Sequence, residues 1–154
     1  KHHIADTTEL TILAKNDITI TGDLQYESPS ISGAANILGI ISETGKITID
    51  YPTAPDNIYI DANIFADKGE FGCADCNGPK KGYVYLFGSI ATKNAGKFGT
   101  DTTGYGRHFT WDTRAAVKPP PNYPSVSTFS IFFERPDTGS STWRVLWSHY
   151  TMED

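Results

Sequence analysis

Four stretches of the chain repeat one pattern of strand-like alternation, and this repetition limits the fold more than any other feature. They are ILAKNDITITGDL from Ile12, IISETGKITI from Ile40, IFADKGEFGC from Ile64 and SIATKNAGKFGT from Ser89. The four copies align on residues just before the alternating segments, namely Asp17, Gly45, Gly69 and Gly96. The anchors lie 24 to 28 residues apart, a period typical of one coil of a solenoid.

Small residues and apolar pairs recur at fixed distances from the anchors. Three positions before an anchor stand Ala14, Ser42 and Ala66, and the fourth copy offers Ala91 or Thr92. After the anchors come the pairs Ile18 and Ile20, Ile47 and Ile49, and Phe71 and Cys73, whereas the fourth copy has only Phe98. Apolar residues at a period of two indicate strands with one buried face. Small residues at fixed offsets indicate corners where another coil approaches closely.

A second motif interleaves with the first. The segments ITGDL, IDANI and LFGSI share an apolar–x–small–polar–apolar shape, with Gly22, Ala62 and Gly88 at their centres. We expect these small residues to mark a second set of corners.

Together the two motifs predict an all-β fold, a right-handed parallel β-solenoid (β-helix) of about four coils, over residues 1–100. Each coil would bury its apolar face only against its neighbours, so the copies need one another. A helical fold is disfavoured because no window keeps a 3.6-residue period and β-branched residues dominate. A two-sheet sandwich remains the alternative, since its strand and turn spacing is similar.

Residues 101–154 differ in character and are predicted to form a C-terminal capping segment of the same domain. This tail contains Trp111, Trp143 and Trp147 and the run Pro119-Pro120-Pro121. An open solenoid end exposes unpaired strand edges that need cover. We expect the tail to cross the stack, to plug its end with buried aromatic side chains, and to finish with strands near STFSIFFE and WRVLWS. An exposed aromatic platform for carbohydrate is the alternative.

Composition disfavours some partner classes. The net charge is −5 and the pI is near 5.3, which disfavours nucleic acid because phosphate binding requires a basic face. No apolar run reaches the roughly 20 residues of a membrane helix, so no membrane segment is expected in this chain.

The two cysteines stand close together, as Cys73 and Cys76. A zinc site needs about four ligands, and no second C-x-x-C or H-x-x-x-H follows. Gly78 and Pro79 disfavour the helix that a thioredoxin-like motif would open. A local disulfide is the favoured interpretation; inert thiols and a metal or redox role are the alternatives.

Loops rich in Pro, Gly, Ser and Asn separate the strands and are candidates for partner contact. The predicted contact residues are Tyr26, Tyr51, Tyr59, Tyr105, Asn77, Lys80 and Lys81. In the tail, Arg107, His108 and Arg114 are candidates for an anion or acidic-sugar subsite. The favoured alternative for Arg114 is a structural ion pair with Asp112 that ties the tail to the stack.

No catalytic or metal site and no cofactor is predicted. The sequence has no G-x-S-x-G motif and no glycine-rich phosphate loop. Asp61, Asp67 and Glu70, with Glu43 from the neighbouring coil, are carboxylates of the kind that β-helix lyases and glycosidases use. Their spacing does not distinguish them from ordinary solvent-facing residues.

The order of these motifs resembles an uncharacterised bacterial family of β-solenoid domains found in PilX-like or pilin-like surface proteins. The matching residues are Ala14, Asp17, Ile18, Ile20, Gly22, Asp23, Leu24, Leu38, Gly39, Asp112, Arg114, Pro119, Pro120, Pro121, Tyr123 and Pro124. The resemblance covers nearly the whole chain, although the Cys73–Cys76 loop departs from it. A more distant similarity is to bactofilins, which are polymerising solenoids.

The resemblance implies an exported, extracellular or cell-envelope module, and it carries over no catalytic residue. We therefore expect a non-enzymatic structural or binding module for adhesion or pilus assembly. Its partners would be a protein or glycan on a surface, pilus subunits, or further copies of itself. The alternatives are a carbohydrate-active β-helix enzyme and a self-polymerising, bactofilin-like scaffold.

Overall fold

The structure, a computed structural model, describes residues 2–28, 35–124, 130–134 and 144–149. These residues form β1 (His2–Ile4), β2 (Glu9–Ala14), β3 (Ile18–Ile20), β4 (Leu24–Tyr26), β5 (Ile37–Ser42), β6 (Ile47–Asp50), β7 (Ile58–Ala74), β8 (Tyr83–Ala95), β9 (Gly106–Trp111), a 3-10 helix (Thr113–Ala116), β10 (Ser130–Glu134) and β11 (Arg144–His149). They fall into two compact units, residues 1–123 and 124–154.

Parallel pairing stacks the strands of the first unit into three faces. Face A contains β1, β4, the start of β7, the start of β8, and β9. Face B contains β2, β5, the middle of β7 and the middle of β8. Face C contains β3, β6 and the end of β7. The predicted parallel β-solenoid of about four turns is therefore confirmed.

The observed register reproduces the small and apolar positions of the first three copies, whereas in the fourth Phe71 pairs with Ala95, so Gly96 is level with Gly72 rather than with Gly69. On face B the small positions pair in the order Ala14, Ser42, Ala66 and Thr92. On face C the apolar pairs align as Ile18, Ile47 and Phe71, and as Ile20, Ile49 and Cys73. The interior is a set of apolar ladders, in which Ile47, Ile49, Ile58, Ile60 and Ile64 are fully buried. Burial of each such side chain stabilises the fold by roughly 1.5–3 kcal/mol.

The second motif is correct in two copies and wrong in the third. Ala62 pairs with Gly88, but Leu24 pairs with Ile60, which places Gly22 level with Ile58. No heavy atom lies within 4 Å of the position that a Cβ would take at Gly22. Gly22 is therefore not a close-approach position, because its register differs from that of Ala62 and Gly88.

The anchor glycines are close-approach positions at one corner of the solenoid. A Cβ on Gly69 would lie 2.0 Å from the carbonyl oxygen of Gly45, and one on Gly96 would lie 1.8 Å from that of Phe71. These distances are shorter than any van der Waals contact, so successive coils meet here backbone to backbone. Close approach therefore occurs at the anchor glycines themselves, whereas the small positions Ser42 and Ala66, predicted to mark the corner, lie in strands β5 and β7.

Residues 112–123, here called the strap, leave β9 and return along the outside of the solenoid. Pro120 is buried, and the Tyr123 ring packs edge-on against Phe65 with centroids 6.2 Å apart. A Cβ at Gly39 would lie 2.9 Å from Tyr123 and 3.0 Å from Pro120, so this glycine lets the strap approach face B. Within the first unit, the strap therefore covers the side of the stack.

The strap ends on the first coil. Lys118 forms an ion pair with Glu9, and the Thr11 hydroxyl donates a hydrogen bond to the carbonyl oxygen of Pro121. The tail thus joins the last coil to the first, as the prediction that it crosses the stack requires.

The parallel ladder continues beyond residue 100, where the sequence suggests that the cap begins. β9 pairs with β8 over Gly106–Trp111, and Trp111 is 55% exposed rather than buried. The predicted terminal strands are present as the antiparallel pair β10 and β11 of the second unit. The rest of the predicted cap, including Trp143, lies outside the described residues.

Candidate binding surface

A column of aromatic side chains lies on the outer side of face A. Tyr59 pairs with Tyr85, and Tyr85 pairs with His108. Ile58, Ile60 and Val84 on the same strands are fully buried, so the alternation of the strands directs the aromatic column outward. The Tyr59 and Tyr85 rings are stacked, with centroids 4.8 Å apart and planes 7° apart. The His108 ring lies 5.4 Å from the Tyr85 ring.

Tyr83 extends this surface and is its most exposed tyrosine at 50%. Its ring centroid lies 5.9 Å from that of Tyr85. A Cβ at Gly106, on the next strand, would lie 2.5 Å from two carbons of the Tyr83 ring. The absence of a side chain at Gly106 therefore makes room for Tyr83. We call Tyr59, Tyr83, Tyr85 and His108 the aromatic patch.

The backbone beneath the aromatic patch is fixed by hydrogen bonds at the edge of face A. The Tyr59 amide donates to Oδ1 of Asp23, and the Tyr83 amide donates to Oδ1 of Asn57, each at 3.0 Å. The rings thus project from a sheet in which Tyr85 is paired with strands on both sides. A rigid surface of this kind binds a partner with little loss of conformational entropy. Phenol and imidazole groups add hydrogen-bonding positions to apolar ring area.

Three predicted contact tyrosines are not surface residues, and the prediction is wrong for them. Tyr26 and Tyr105 are 2% exposed and Tyr51 is 9% exposed. Their hydroxyls find partners inside the protein. The Tyr105 hydroxyl donates to the Pro55 carbonyl at 2.8 Å, the Tyr51 hydroxyl donates to the Pro79 carbonyl, and the Tyr26 hydroxyl accepts from the Leu38 amide at 2.9 Å. Burial raises the pKa of Tyr26 and of Tyr105 to about 12.

Lys81 is likewise a structural residue rather than a side chain available to a partner. Its ammonium group donates to the carbonyl oxygens of Tyr51 at 2.8 Å and Ala54 at 2.6 Å. It also lies 4.7 Å from the Tyr51 ring centroid and 5.7 Å from that of Tyr105. This cation–π arrangement links the loop of Tyr51 to the loop of Tyr105, so Lys81 has a structural role.

The remaining predicted contacts, Tyr59, Asn77 and Lys80, are exposed. Tyr59 belongs to the aromatic patch. The Lys80 ammonium donates to the Thr100 carbonyl at 2.7 Å, and Oδ1 of Asn77 accepts from Lys97 at 3.1 Å. Asn77 and Lys80 therefore stay surface candidates that already have internal partners.

Cys73 and Cys76 form a disulfide with a Cα–Cα distance of 5.8 Å, within the usual range. Cys76 is 3% exposed and packs in the same core cluster as Tyr51 and Tyr105. The disulfide thus constrains the chain just before the exposed residues Asn77 and Lys80. Among the described residues, no group of three or more His, Cys, Asp or Glu side chains could hold a metal ion.

The predicted anion subsite is not assembled. Arg107 and His108 are successive residues of β9, so their side chains point to opposite sides of the sheet. Arg114 lies in the strap and forms a fork-shaped ion pair with Asp112, with Nε–Oδ1 of 3.0 Å and Nη2–Oδ2 of 2.9 Å. The structural ion pair, which was the favoured alternative for Arg114, is present.

Arg114 organises a buried network that holds the strap. Its Nη1 donates to Oδ1 of Asn36 at 2.9 Å, and its guanidinium carbon lies 5.0 Å from the Tyr26 ring centroid and 5.7 Å from that of Phe87. Asp112 is 1% exposed and also accepts from the Arg114 amide at 3.0 Å, which caps the 3-10 helix. Arg114 therefore has a structural role in holding the strap on the solenoid.

Asp61, a carboxylate considered for catalysis, lies in the same buried region. It is 7% exposed, and its Oδ2 accepts from the Tyr26 amide at 2.8 Å. Burial is the main cause that raises the pKa of Asp61 above 3.8. Of the other carboxylates, Asp67 pairs with Lys68, and Glu43 is exposed.

The raised pKa of Asp61 predicts a pH effect on stability. A carboxyl whose pKa is raised on folding contributes stability that is full below pH 3.8 and is lost as the pH rises through its folded-state value. The variant Asp61→Asn should therefore lose less stability than the unmodified chain as the pH rises above 3.8. Urea denaturation at a series of pH values measures this. An unchanged or steeper loss in the variant would contradict the assignment.

Sequence reasoning missed Tyr83 and Tyr85. The signal was present in the segment YVYLF, because tyrosines alternate there with Val84 and Leu86, which are buried. Successive side chains of a strand point to opposite sides of the sheet, so a tyrosine next to a buried residue of the same strand faces outward. His108 was identified, but in combination with Arg107 rather than with the tyrosines.

The described residues include no helix of the length and apolar character that crossing a membrane requires. Comparison of the chain with protein-family models, with curated proteins and with solved structures gives no match.

Proposed function

We propose that this chain is a non-enzymatic binding module of an exported, cell-envelope or pilus-associated protein. In this proposal the solenoid is a stiff support, and the aromatic patch contacts a glycan or a protein on a surface. The observation that carries the proposal is the outward column of Tyr59, Tyr85 and His108 with the adjoining Tyr83. Exposed clusters of large aromatic side chains are typical of interaction sites.

The patch favours a glycan over a protein partner. The Tyr83 ring lies over Gly106 and is half exposed, so it offers ring area against which the C–H groups of a sugar can pack. The phenol groups of the patch can bond sugar hydroxyls. Of the carboxylates considered for an enzyme, Asp61 is buried and Asp67 pairs with Lys68, so we keep catalysis as the weaker alternative.

Export is supported by the disulfide between Cys73 and Cys76. Disulfides persist in oxidising compartments such as the cell surface or the periplasm and are rare in the cytosol. The resemblance to pilin-like surface proteins, on the motifs from Ala14 to Pro124, adds the cell-envelope context.

The proposal is tested by glycan-array binding of the full chain, followed by titration of any glycan bound. Tyr83→Ala should weaken binding about tenfold, which corresponds to the loss of about 1.4 kcal/mol. Trp111→Ala is the matched control, because Trp111 is exposed to a similar degree but points away from the patch. Equal weakening by both variants would contradict binding at the aromatic patch. Release of shorter sugars from the glycan would contradict a non-enzymatic role.

A further inference from the structure

The first coil leaves one end of the solenoid open. Among the described residues, β1, β2 and β3 each pair on one side only, so a row of backbone N–H and C=O groups is unpaired. Leu10 and Ile12 are 44% and 42% exposed although they stand in the interior ladder. A cavity of about 430 Å³ opens here, lined by Ile12, Ile18, Ile20, Leu24 and Ile40 among others.

The last coil leaves the opposite end open in the same way. Among the described residues, β9 pairs only with β8, and the second half of β8 pairs only with β7. Ile90 is 39% exposed and Phe109 is 42% exposed, although they continue the ladders of Ile64 and Leu86. Both ends therefore combine free strand edges with uncovered apolar side chains.

These two ends are complementary in their hydrogen-bonding edges. All strands of the solenoid are parallel. The free strand edges of the first coil of one molecule can therefore pair with the free strand edges of the last coil of another. Placing β1 against β9, and β2 against β8, continues the ladder with the ordinary strand spacing of about 4.8 Å. In that register Ile12 of β2 would cover Ile90 on face B. On face A, β1 would cover the exposed inner side of β9, which carries Phe109.

The ends are also complementary in charge. Residues 2–28 contain Asp6, Asp17, Asp23 and Glu27 against the single cation Lys15, besides Glu9, which pairs with Lys118 of the strap. Residues 89–111 contain Lys93, Lys97 and Arg107 against the single anion Asp101. Opposite charges favour contact between unlike ends and disfavour contact between like ends.

We propose that the first coil of one molecule docks on the last coil of a second copy of this chain, head to tail. An interface between unlike surfaces does not close on itself without a suitable rotation, so it generates linear assemblies. The strap does not oppose this arrangement, because its contacts with Gly39, Phe65 and Thr11 lie on the outside of face B. This property is additional to glycan binding, since the aromatic patch points sideways.

The test is sedimentation velocity of the full chain over a hundredfold range of concentration, with electron microscopy. We expect the sedimentation coefficient to rise with concentration, to fall with added salt, and to accompany particles one molecule wide. Leu10→Glu and Phe109→Glu each place a carboxylate in the interface and should each leave the protein monomeric. A mixture of the two variants retains one intact interface and should yield dimers and nothing longer.

Leu13→Glu is the matched control, because Leu13 is 60% exposed in the same strand but points outward from face B. It should leave assembly unchanged, and circular dichroism verifies the fold of each variant. A monomer at every concentration overturns the proposal. So does a dimer that both end variants leave intact, or an assembly that Tyr83→Ala abolishes, since these outcomes indicate a symmetric contact or the aromatic patch.

Discussion

Replacement of Gly88 by alanine should destabilise the protein by about 2–6 kcal/mol, because two costs of roughly 1–3 kcal/mol each add. The first is steric: a Cβ at this position would lie 1.8 Å from the carbonyl oxygen of Ala62. The second is conformational, since Gly88 has φ of +156°, a region that L-residues avoid. The obstacle is backbone of the neighbouring coil, which cannot rotate away as a side chain could.

Gly22→Ala is the control for this substitution. Nothing lies within 4 Å of the Cβ position at Gly22, so this variant should change the free energy of unfolding by less than about 0.5 kcal/mol. Urea denaturation followed by circular dichroism measures both variants. Equal effects at the two positions would contradict close approach of the coils at Gly88.

The second large effect is expected for Arg114→Ala. Removal of the guanidinium leaves the carboxylate of Asp112 almost completely buried without its ion-pair partner. Loss of one partner from a buried pair costs about 3–5 kcal/mol. The Tyr26 and Phe87 rings also lose the cation that packs on them. We therefore expect a lower urea midpoint and faster hydrogen exchange in the strap than in the core of face C.

Two further variants separate the buried charge from the loss of packing. Asp112→Asn combined with Arg114→Ala removes the unpaired charge while keeping an N-cap acceptor, so the double variant should be more stable than Arg114→Ala alone. Lys118→Ala breaks the exposed pair with Glu9 and should cost less than about 1 kcal/mol. A loss for Lys118→Ala as large as for Arg114→Ala would show that strap contact in general, rather than the buried pair, determines the effect.

The fold could be predicted from the sequence because the solenoid repeats one local pattern. Each coil places a small residue at the same corner and an apolar pair on the same face, so positions such as Ala14, Ser42 and Ala66 carry the register directly. A parallel stack then follows from the need of each coil to bury its apolar face against a neighbour. The first copy of the second motif failed because its register is offset: Leu24 pairs with Ile60, so Gly22 is not level with Ala62 and Gly88.

The candidate surface could be predicted only in part. Tyrosine has an apolar ring and a polar hydroxyl, so its type alone does not decide between surface and interior. Tyr51 and Tyr105 stand in loops rich in Pro and Gly, yet carbonyl oxygens of other loops bond their hydroxyls. Those partners are 28 and 50 residues away, and local pattern does not identify them. Tyr83 and Tyr85, which lie within a regular strand, were readable from alternation with Val84 and Leu86.

The strap also sets the order in which the molecule can form. Its contacts with Glu9 and Thr11 join residues 109 and 110 positions apart, whereas neighbouring coils pair over far shorter separations. Closing so long a loop is slow and can follow only after the intervening coils have stacked. During synthesis of this chain, more than one hundred residues follow the first coil before the strap that contacts Glu9 and Thr11 is made. The first coil, although it is synthesised before the strap, is therefore among the last parts of the solenoid to reach its final packing.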